Sequence, residues 1–243
     1  MDKKMKRIVL IIVSVMAILG ILKVSQAHLD HRLYDLQKNE ELLLADAVAD
    51  LKKNRVILVG EHHTNQNHHF GQLNVIQTLH EAGARVAIGL EMFRNDSQNL
   101  LDQWIAGNIS ETQFEEIYYD NWTYPWPLYR MIFEYARKEQ IPMIGLNVPR
   151  EITRQVSRGG FNSLSEKQRG QLKNVSCRVD KEYMDYIKRA FGGHGHGNMN
   201  FTYFCEAQMV WDTAMAVNTL AYLEKDPDAV VVLLAGAGPV SYT

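Results

Sequence analysis

Between Val56 and His69 a short apolar run breaks directly into one carboxylate and four imidazoles: Glu61, His62, His63, His68 and His69. Imidazole combines metal ligation, proton transfer near neutrality and hydrogen bonding to anions, so this density marks a site without naming its chemistry. A second carboxylate, Glu91, closes the apolar run Val86 to Leu90, and Asn147 closes a third that begins at Ile141. If these runs are parallel strands, Glu61, Glu91, Asn147 and the turn Gly236-Ala237-Gly238 share one sheet edge, where open α/β sheets place their ligands. Glu61, His63 and Glu91 converging there could hold a divalent cation or work as a general acid and base. The competing reading is a buried hydrogen-bond network tying strand ends to loops, although an unpaired buried acid is costly.

His63 follows its strand closely enough to face the same pocket, whereas His62 would point away if extended geometry persists. His68 and His69 fall at the first turn of a helix, where one could turn back to the strand end and the other face solvent. The spacing is not the His-Glu-x-x-His pattern of zinc proteases and specifies no metal. Tyr118, Tyr119, Trp122, Tyr124, Trp126, Tyr129, Phe133 and Tyr135 form an aromatic concentration that suits either a flat apolar ligand or core packing. His194 and His196 lie in the Gly-rich stretch Gly192 to Asn198, where ordering the chain around a ligand would be costly.

The elements that must position these residues are four apolar runs, Val56 to Gly60, Val86 to Leu90, Ile141 to Leu146 and Ala229 to Ala235, alternating with helical periodicity. This predicts an α/β fold with a mainly parallel central sheet flanked by helices. A crossover helix is expected from about Phe70 to Ala82, stopped by Gly83. A helical insertion between the second and third strands carries Leu100, Leu101 and Trp104, then a Ser110-x-x-Gln113 capping box, then Leu128, Ile132, Phe133 and Ala136. A long helix over about Thr202 to Glu224 should bury Ala207, Val210, Trp211, Ala214, Val217 and Leu220 before the fourth strand.

Lys3, Lys4, Lys6 and Arg7 precede fifteen nearly uninterrupted apolar residues, Ile8 to Leu22, which reads as a signal peptide or membrane-anchor helix. At roughly 22 Å as a helix the segment falls short of a hydrocarbon core of about 30 Å, so length favours a signal peptide, with Ser25-Gln26-Ala27 as its cleavage site. The expected organisation is residues 1–27 as signal or anchor and 28–243 as one domain. Location outside the inner membrane follows in either case, in the periplasm or tethered to that membrane. No Cys follows the apolar run, which excludes a lipoprotein. Residues 1–27 carry a net charge of +4, so the formal charge of −2 becomes −6 without them, which argues against nucleic acid. Cys177 and Cys205 are open to two readings, a disulfide or two buried thiols. With no Cys-x-x-Cys-His, covalent c-type haem attachment is excluded.

Gly60-Glu61-x-His63-x-Asn65-x-x-His68-His69, Gly89-Leu90-Glu91-Met92-Phe93, Trp126-Pro127-x-x-Tyr129-Arg130, Leu146-Asn147-x-Pro149-Arg150 and Glu206-Ala207-Gln208 together resemble the ChaN family of the Tiki, TraB and EreA superfamily. The resemblance runs from about residue 45 to the C-terminus. It implies haem binding in iron uptake, at a homodimer interface, with a Tyr on the iron and a His and a Lys at the propionates. Tyr129 is the first candidate for the iron ligand and Tyr124 the second, with His63, His68 and His69 as further cofactor-binding candidates.

Superfamily enzymes use the Gly-x-x-His motif and a following Glu, so the resemblance also implies an alternative: a metal-dependent hydrolase acting through Glu61, His63 and Glu91. The family's last strand usually continues as Gly-x-Gly-His-x-x-Tyr-Gly. Here it reads Gly236-Ala237-Gly238-Pro239-Val240-Ser241-Tyr242-Thr243, without the His, which weakens hydrolysis more than haem binding. A C-terminally short domain would also leave an exposed sheet edge.

Overall fold

The computed structural model describes residues 32–190 and 200–238. The expected signal or anchor helix, His194 and His196, and the segment after Gly238 lie outside the described residues. No helix among the described residues is long and apolar enough to cross a membrane.

Two short strands, β1 (Arg32–Asp35) and β2 (Glu40–Leu43), form an antiparallel hairpin that leads into α1 (Leu44–Leu51). Its four-residue arms, rich in charge, carry too little alternation to stand out in the sequence. The central sheet holds β3 (Val56–Glu61), β4 (Val86–Arg94), β5 (Met143–Asn147) and β6 (Val230–Gly236), all parallel, in the order β3-β6-β4-β5. The last strand among the described residues, β6, is therefore internal, and β3 and β5 form the edges. The neighbours of β6 are β3, through Val56 with Val231, and β4, through Val86 with Val230.

Strand residues point alternately to two faces, and each face is covered. Ile88, Leu90, Val232 and Leu234 pack under α2 (Gln66–Glu81) and the insertion helices α3 (Gln98–Ile105), α4 (Glu111–Asn121) and α5 (Trp126–Lys138). Ala87, Val231, Leu233 and Ala235 meet Met215 and Leu223 of the 25-residue helix α9 (Phe201–Lys225). Between β5 and α9 run α6 (Arg150–Gly159), α7 (Glu166–Gln171) and α8 (Lys181–Ala190). Ile152 and Val156 of α6 pack on Ala207, Val210 and Ala214 of α9.

Helix starts follow local chemistry. The Ser110 side chain accepts from the Gln113 amide while Gln113 reaches back to the Ser110 amide, closing the capping box of α4. Asn65 caps α2 by accepting from the Asn67 amide at 3.0 Å. On α9 the buried set is Cys205, Ala207, Val210, Ala214, Met215, Thr219 and Leu223. Trp211 and Val217 are half-buried, and Leu220, expected inside, is 57 % exposed. Apolar side chains surround this helix, so periodicity alone does not select its inner face.

The β4–β5 register shifts between Leu90 and Arg94, and this irregularity contains Glu91. Bulges re-aim side chains, commonly beside functional sites. Gly145 permits the close approach: a Cβ there would lie 2.3 Å from the Arg94 carbonyl oxygen, which is backbone and cannot rotate away. Gly145→Ala should cost about 1–3 kcal/mol, seen as a lower urea midpoint with an unchanged slope. An unshifted midpoint would show that β4 and β5 are not pressed together here.

Candidate functional site

Glu61 ends β3 opposite Gly236 of β6 and is almost fully buried. Its Oε1 accepts from the Tyr129 hydroxyl at 2.5 Å and meets His63 Nδ1 at 2.7 Å. Its Oε2 lies 2.8 Å from His69 Nδ1. That approach is a charge contact rather than an aligned hydrogen bond, since no donor among the described residues is directed at Oε2. The same His69 nitrogen is 3.2 Å from Gln72 Oε1, and His69 Nε2 is 3.2 Å from the His63 carbonyl oxygen. Acceptors at both ring nitrogens favour the imidazolium. Burial opposes that charge, but hydrogen bonding and attraction to Glu61 outweigh it and hold the His69 pKa above its ordinary value.

Burial likewise works against the Glu61 anion. Hydrogen bonds from His63 and Tyr129, with the close His69 contact, prevail and take the carboxyl down to about 2. Tyr129 is completely buried, and its hydroxyl is pushed far above the ordinary range, first by burial and then by the Glu61 charge. It is therefore a fixed proton donor beneath Glu61.

Glu91 stands in the opposite condition. Its Oε2 accepts from the Gly236 amide at 2.5 Å, and its backbone carbonyl accepts from Asn147 Nδ2 at 2.9 Å. Burial pushes Glu91 up to about 7, with the Gly236 bond and nearby His63 pulling down and the charges of Glu61 and Asp212 adding to the rise. Asp212, on α9, accepts from the Tyr183 hydroxyl at 2.9 Å, and burial raises it to about 6. His63 lies over Gly236, where a Cβ would come within 3.0 Å of its ring. Its ring centroid is 4.6 Å from that of Tyr124 and 5.2 Å from that of Trp122.

These groups open on a cavity of about 920 Å³. Glu61, His63 and Glu91 form its floor, Trp122, Tyr124, Tyr186 and Trp211 give it aromatic walls, and Arg189 supplies a cation. Glu61, His63, Glu91 and Gly236 are thus gathered at one sheet edge. Asn147 supports the Glu91 backbone from beside them.

His69 turns back to Glu61. His68, half-buried, accepts the His62 amide on its Nδ1 at 2.8 Å, and His62 lies exposed at the cavity rim. The aromatic concentration divides. Tyr118, Trp126, Tyr129 and Phe133 belong to the core, while Trp122 and Tyr124 face the cavity. No group of three or more His, Cys, Asp or Glu side chains among the described residues is placed to hold a metal ion. Cys205 is buried and Cys177 half-buried, and both are free thiols.

Sequence reasoning did not single out Arg189, Asp212 or the site-facing role of Trp211, and Gln208 entered only within the motif Glu206-Ala207-Gln208. Gln208, Trp211 and Asp212 are spaced i, i+3, i+4 on one helix, a pattern open to detection, but Trp211 also fits an apolar core stripe.

The chain matches the family described as haem-binding uptake, Tiki superfamily, ChaN, over residues 47–243. It belongs to the ChaN family. No curated protein matches it. Among solved structures, this ChaN-family chain is similar to the one showing cofacial heme binding to ChaN of Campylobacter jejuni, with a TM-score of 0.58 and 18 % identity, covering 85 % of this chain and 80 % of that one. Weaker likenesses are to the type III effector HopBA1, at a TM-score of 0.46 and 10 % identity over 80 % and 72 % of the two chains. A mutant of the erythromycin esterase EreC in its open conformation gives 0.47 and 13 % over 79 % and 63 %. At these identities the likeness is one of fold.

Proposed function

We propose that this ChaN-family protein binds haem in the strand-end cavity and serves haem or iron uptake outside the inner membrane. The observation that carries the reading is the cavity itself, about 920 Å³ with Trp122, Tyr124, Tyr186 and Trp211 along its walls. Cofactor pockets of roughly 300–1,000 Å³ with apolar aromatic linings are the usual receptacle for flat ligands. Bound there, haem would supply an iron centre that a phenolate can ligate.

Tyr124 is the residue we assign to that role, because it faces the cavity. Tyr129 is sealed below the floor with its hydroxyl committed to Glu61. His63 stands beside Tyr124 and is held by Glu61, so it is placed to orient the ligand, while His69 and Tyr129 hold Glu61. The basic and apolar N-terminal segment supports an envelope location, periplasmic or membrane-tethered. Family membership supports a homodimer.

Hemin titrated into the purified protein should produce a high-spin spectrum of phenolate type. Tyr124→Phe should change that spectrum and weaken binding about tenfold or more, whereas Tyr129→Phe should keep it. An unchanged spectrum in Tyr124→Phe would move the ligand elsewhere, and absence of uptake would remove the proposal.

A second reading rests on a different observation, the opposite displacement of Glu61 to about 2 and Glu91 to about 7 at one site. Such a pair, gathered on one cavity floor, supplies an ionised carboxylate and one that is protonated in part near neutrality, which suits acid–base hydrolysis. Hydrolysis of an activated ester by the purified protein, lost in Glu91→Gln, would favour it.

A further inference from the structure

Charge is divided between the two sides of the sheet. Residues 66–139, which run from α2 through α5, hold five Lys and Arg against ten Asp and Glu. Residues 150–190, which supply α6, α7 and α8, invert that ratio with ten against five, and all ten cations are exposed. Their pairing differs as well. In the acidic group Arg85, Arg94, Arg130 and Lys138 each face a carboxylate. Among the described residues the basic group makes one ion pair, Lys181 with Asp185 at 2.6 Å.

The unpaired cations form a continuous patch. Arg150, Arg154 and Arg158 recur at i, i+4 and i+8 and so share one stripe of α6, whose opposite side, Ile152 and Val156, is buried on α9. Next to that stripe Gln155 Nε2 donates to the Ser163 hydroxyl at 3.3 Å, and Arg169 of α7 donates to the Asn162 carbonyl at 2.8 Å. The turn at 161–165 thereby joins α6 to α7, and Lys167 and Lys173 flank Arg169. Like charges gathered this way repel one another in the folded protein, and an anionic partner relieves the repulsion.

We propose that this face docks on a membrane surface of anionic phospholipid. The proposal rests on the envelope location and is independent of haem. On that reading Lys3 to Leu22 brings the chain to a bilayer, and where the segment is retained the ten residues from Leu22 to Arg32 hold the domain within about 35 Å of it. A chain that is acidic overall is repelled by anionic lipid from most directions and attracted from one, so its charge separation orients it against a plane. Tyr186 and Arg189, from the same basic segment, line the main cavity. Docking therefore sets that wall of the cavity toward the bilayer, the phase in which flat apolar molecules dissolve.

Covalent footprinting of the whole protein tests this. An amine-acylating reagent is applied to the protein on vesicles of phosphatidylcholine alone, or of phosphatidylcholine with about 30 mol % phosphatidylglycerol, and modification is read residue by residue by mass spectrometry. On the anionic vesicles Lys167 and Lys173 should react about fivefold or more slowly, while Lys53 and Lys138, exposed but outside the basic segment, keep their rates. About 0.5 M NaCl should abolish the difference, because it cuts the screening length to a few ångströms. Arg154→Gln combined with Arg158→Gln removes two exposed cations whose side chains have no partner among the described residues. It should restore most of the lysine reactivity and leave hemin uptake unchanged. Equal rates on the two kinds of vesicle would overturn the assignment in favour of an acidic protein surface. Slowing that survives the salt, or that ignores the double variant, would overturn it too. A protein that fails this test yet takes up hemin loses the docking face and keeps the haem reading.

Discussion

Glu61→Ala is expected to destabilise the protein by about 3–5 kcal/mol, because it strands a buried cation and two further donors at once. The His69 side chain is fully enclosed and meets Glu61 at 2.8 Å, Tyr129 donates to the same carboxylate, and His63 is held by it. Breaking a buried pair by removing one partner costs far more than the pair contributes when complete. Urea unfolding at pH 7 is the measurement. A loss below about 1 kcal/mol would mean that His69 is neutral and satisfied by Gln72 and the His63 carbonyl. Glu61→Gln keeps the shape and should fall between, since an amide can accept from Tyr129 but cannot balance a charged His69.

The second large effect is a pH dependence with two limbs. Glu61 is lowered in the folded state, so its contribution is present above the ordinary carboxyl value near 4.5 and is lost as pH falls toward 2. Glu91 is raised, so folding is favoured below 4.5 and loses ground as pH climbs from there to about 7. The difference between 4.5 and 7 corresponds to about 3 kcal/mol. Asp212, raised from 3.8 to about 6, and the raised His69 add loss in the same direction. Stability should therefore be greatest in mildly acid solution, near pH 4–5, and decline toward pH 8. Glu91→Gln retains an acceptor for the Gly236 amide and should be the more stable protein at pH 8, by up to about 3 kcal/mol, with little gain at pH 4. Equal stability at both pH values would show that Glu91 is ionised in the folded protein at no cost.

Stabilisation by replacing a site residue is the expected signature of a group kept for function. Its outcome bears on both functional readings. A carboxyl raised to about 7 retains its proton in part at neutrality, which suits an acid for hydrolysis and in a haem pocket reduces the negative charge on the floor beneath the ligand.

Local signals in the chain were sufficient for part of this arrangement. Val56 to Gly60 and Val86 to Leu90 read as strands because buried parallel strands are continuous apolar runs, and their ends placed Glu61 and Glu91 at one edge. The insertion helices were visible through Ser110 and Gln113 and through the spacing of Ile132, Phe133 and Ala136. What no local pattern encodes is pairing between distant segments. The position of Val230–Gly236 between β3 and β4 is set by three-dimensional packing, and so is the amide that Gly236 gives to Glu91. Tyr124 and Tyr129, five residues apart in one aromatic segment, could not be separated by spacing. The fold puts one in the cavity and the other below its floor.

The internal position of β6 has a consequence for biogenesis. Residues 56–61 and 86–94 have no hydrogen-bonded ladder with each other and are joined through a segment that leaves the ribosome about 170 residues after the first of them. Until then the sheet has a vacant slot at its centre, Glu91 lacks its amide partner, and the high contact order defers cooperative assembly. A nascent chain of this protein should therefore stay sensitive to protease through most of its synthesis and gain resistance in one late step, when residues 230–236 become available.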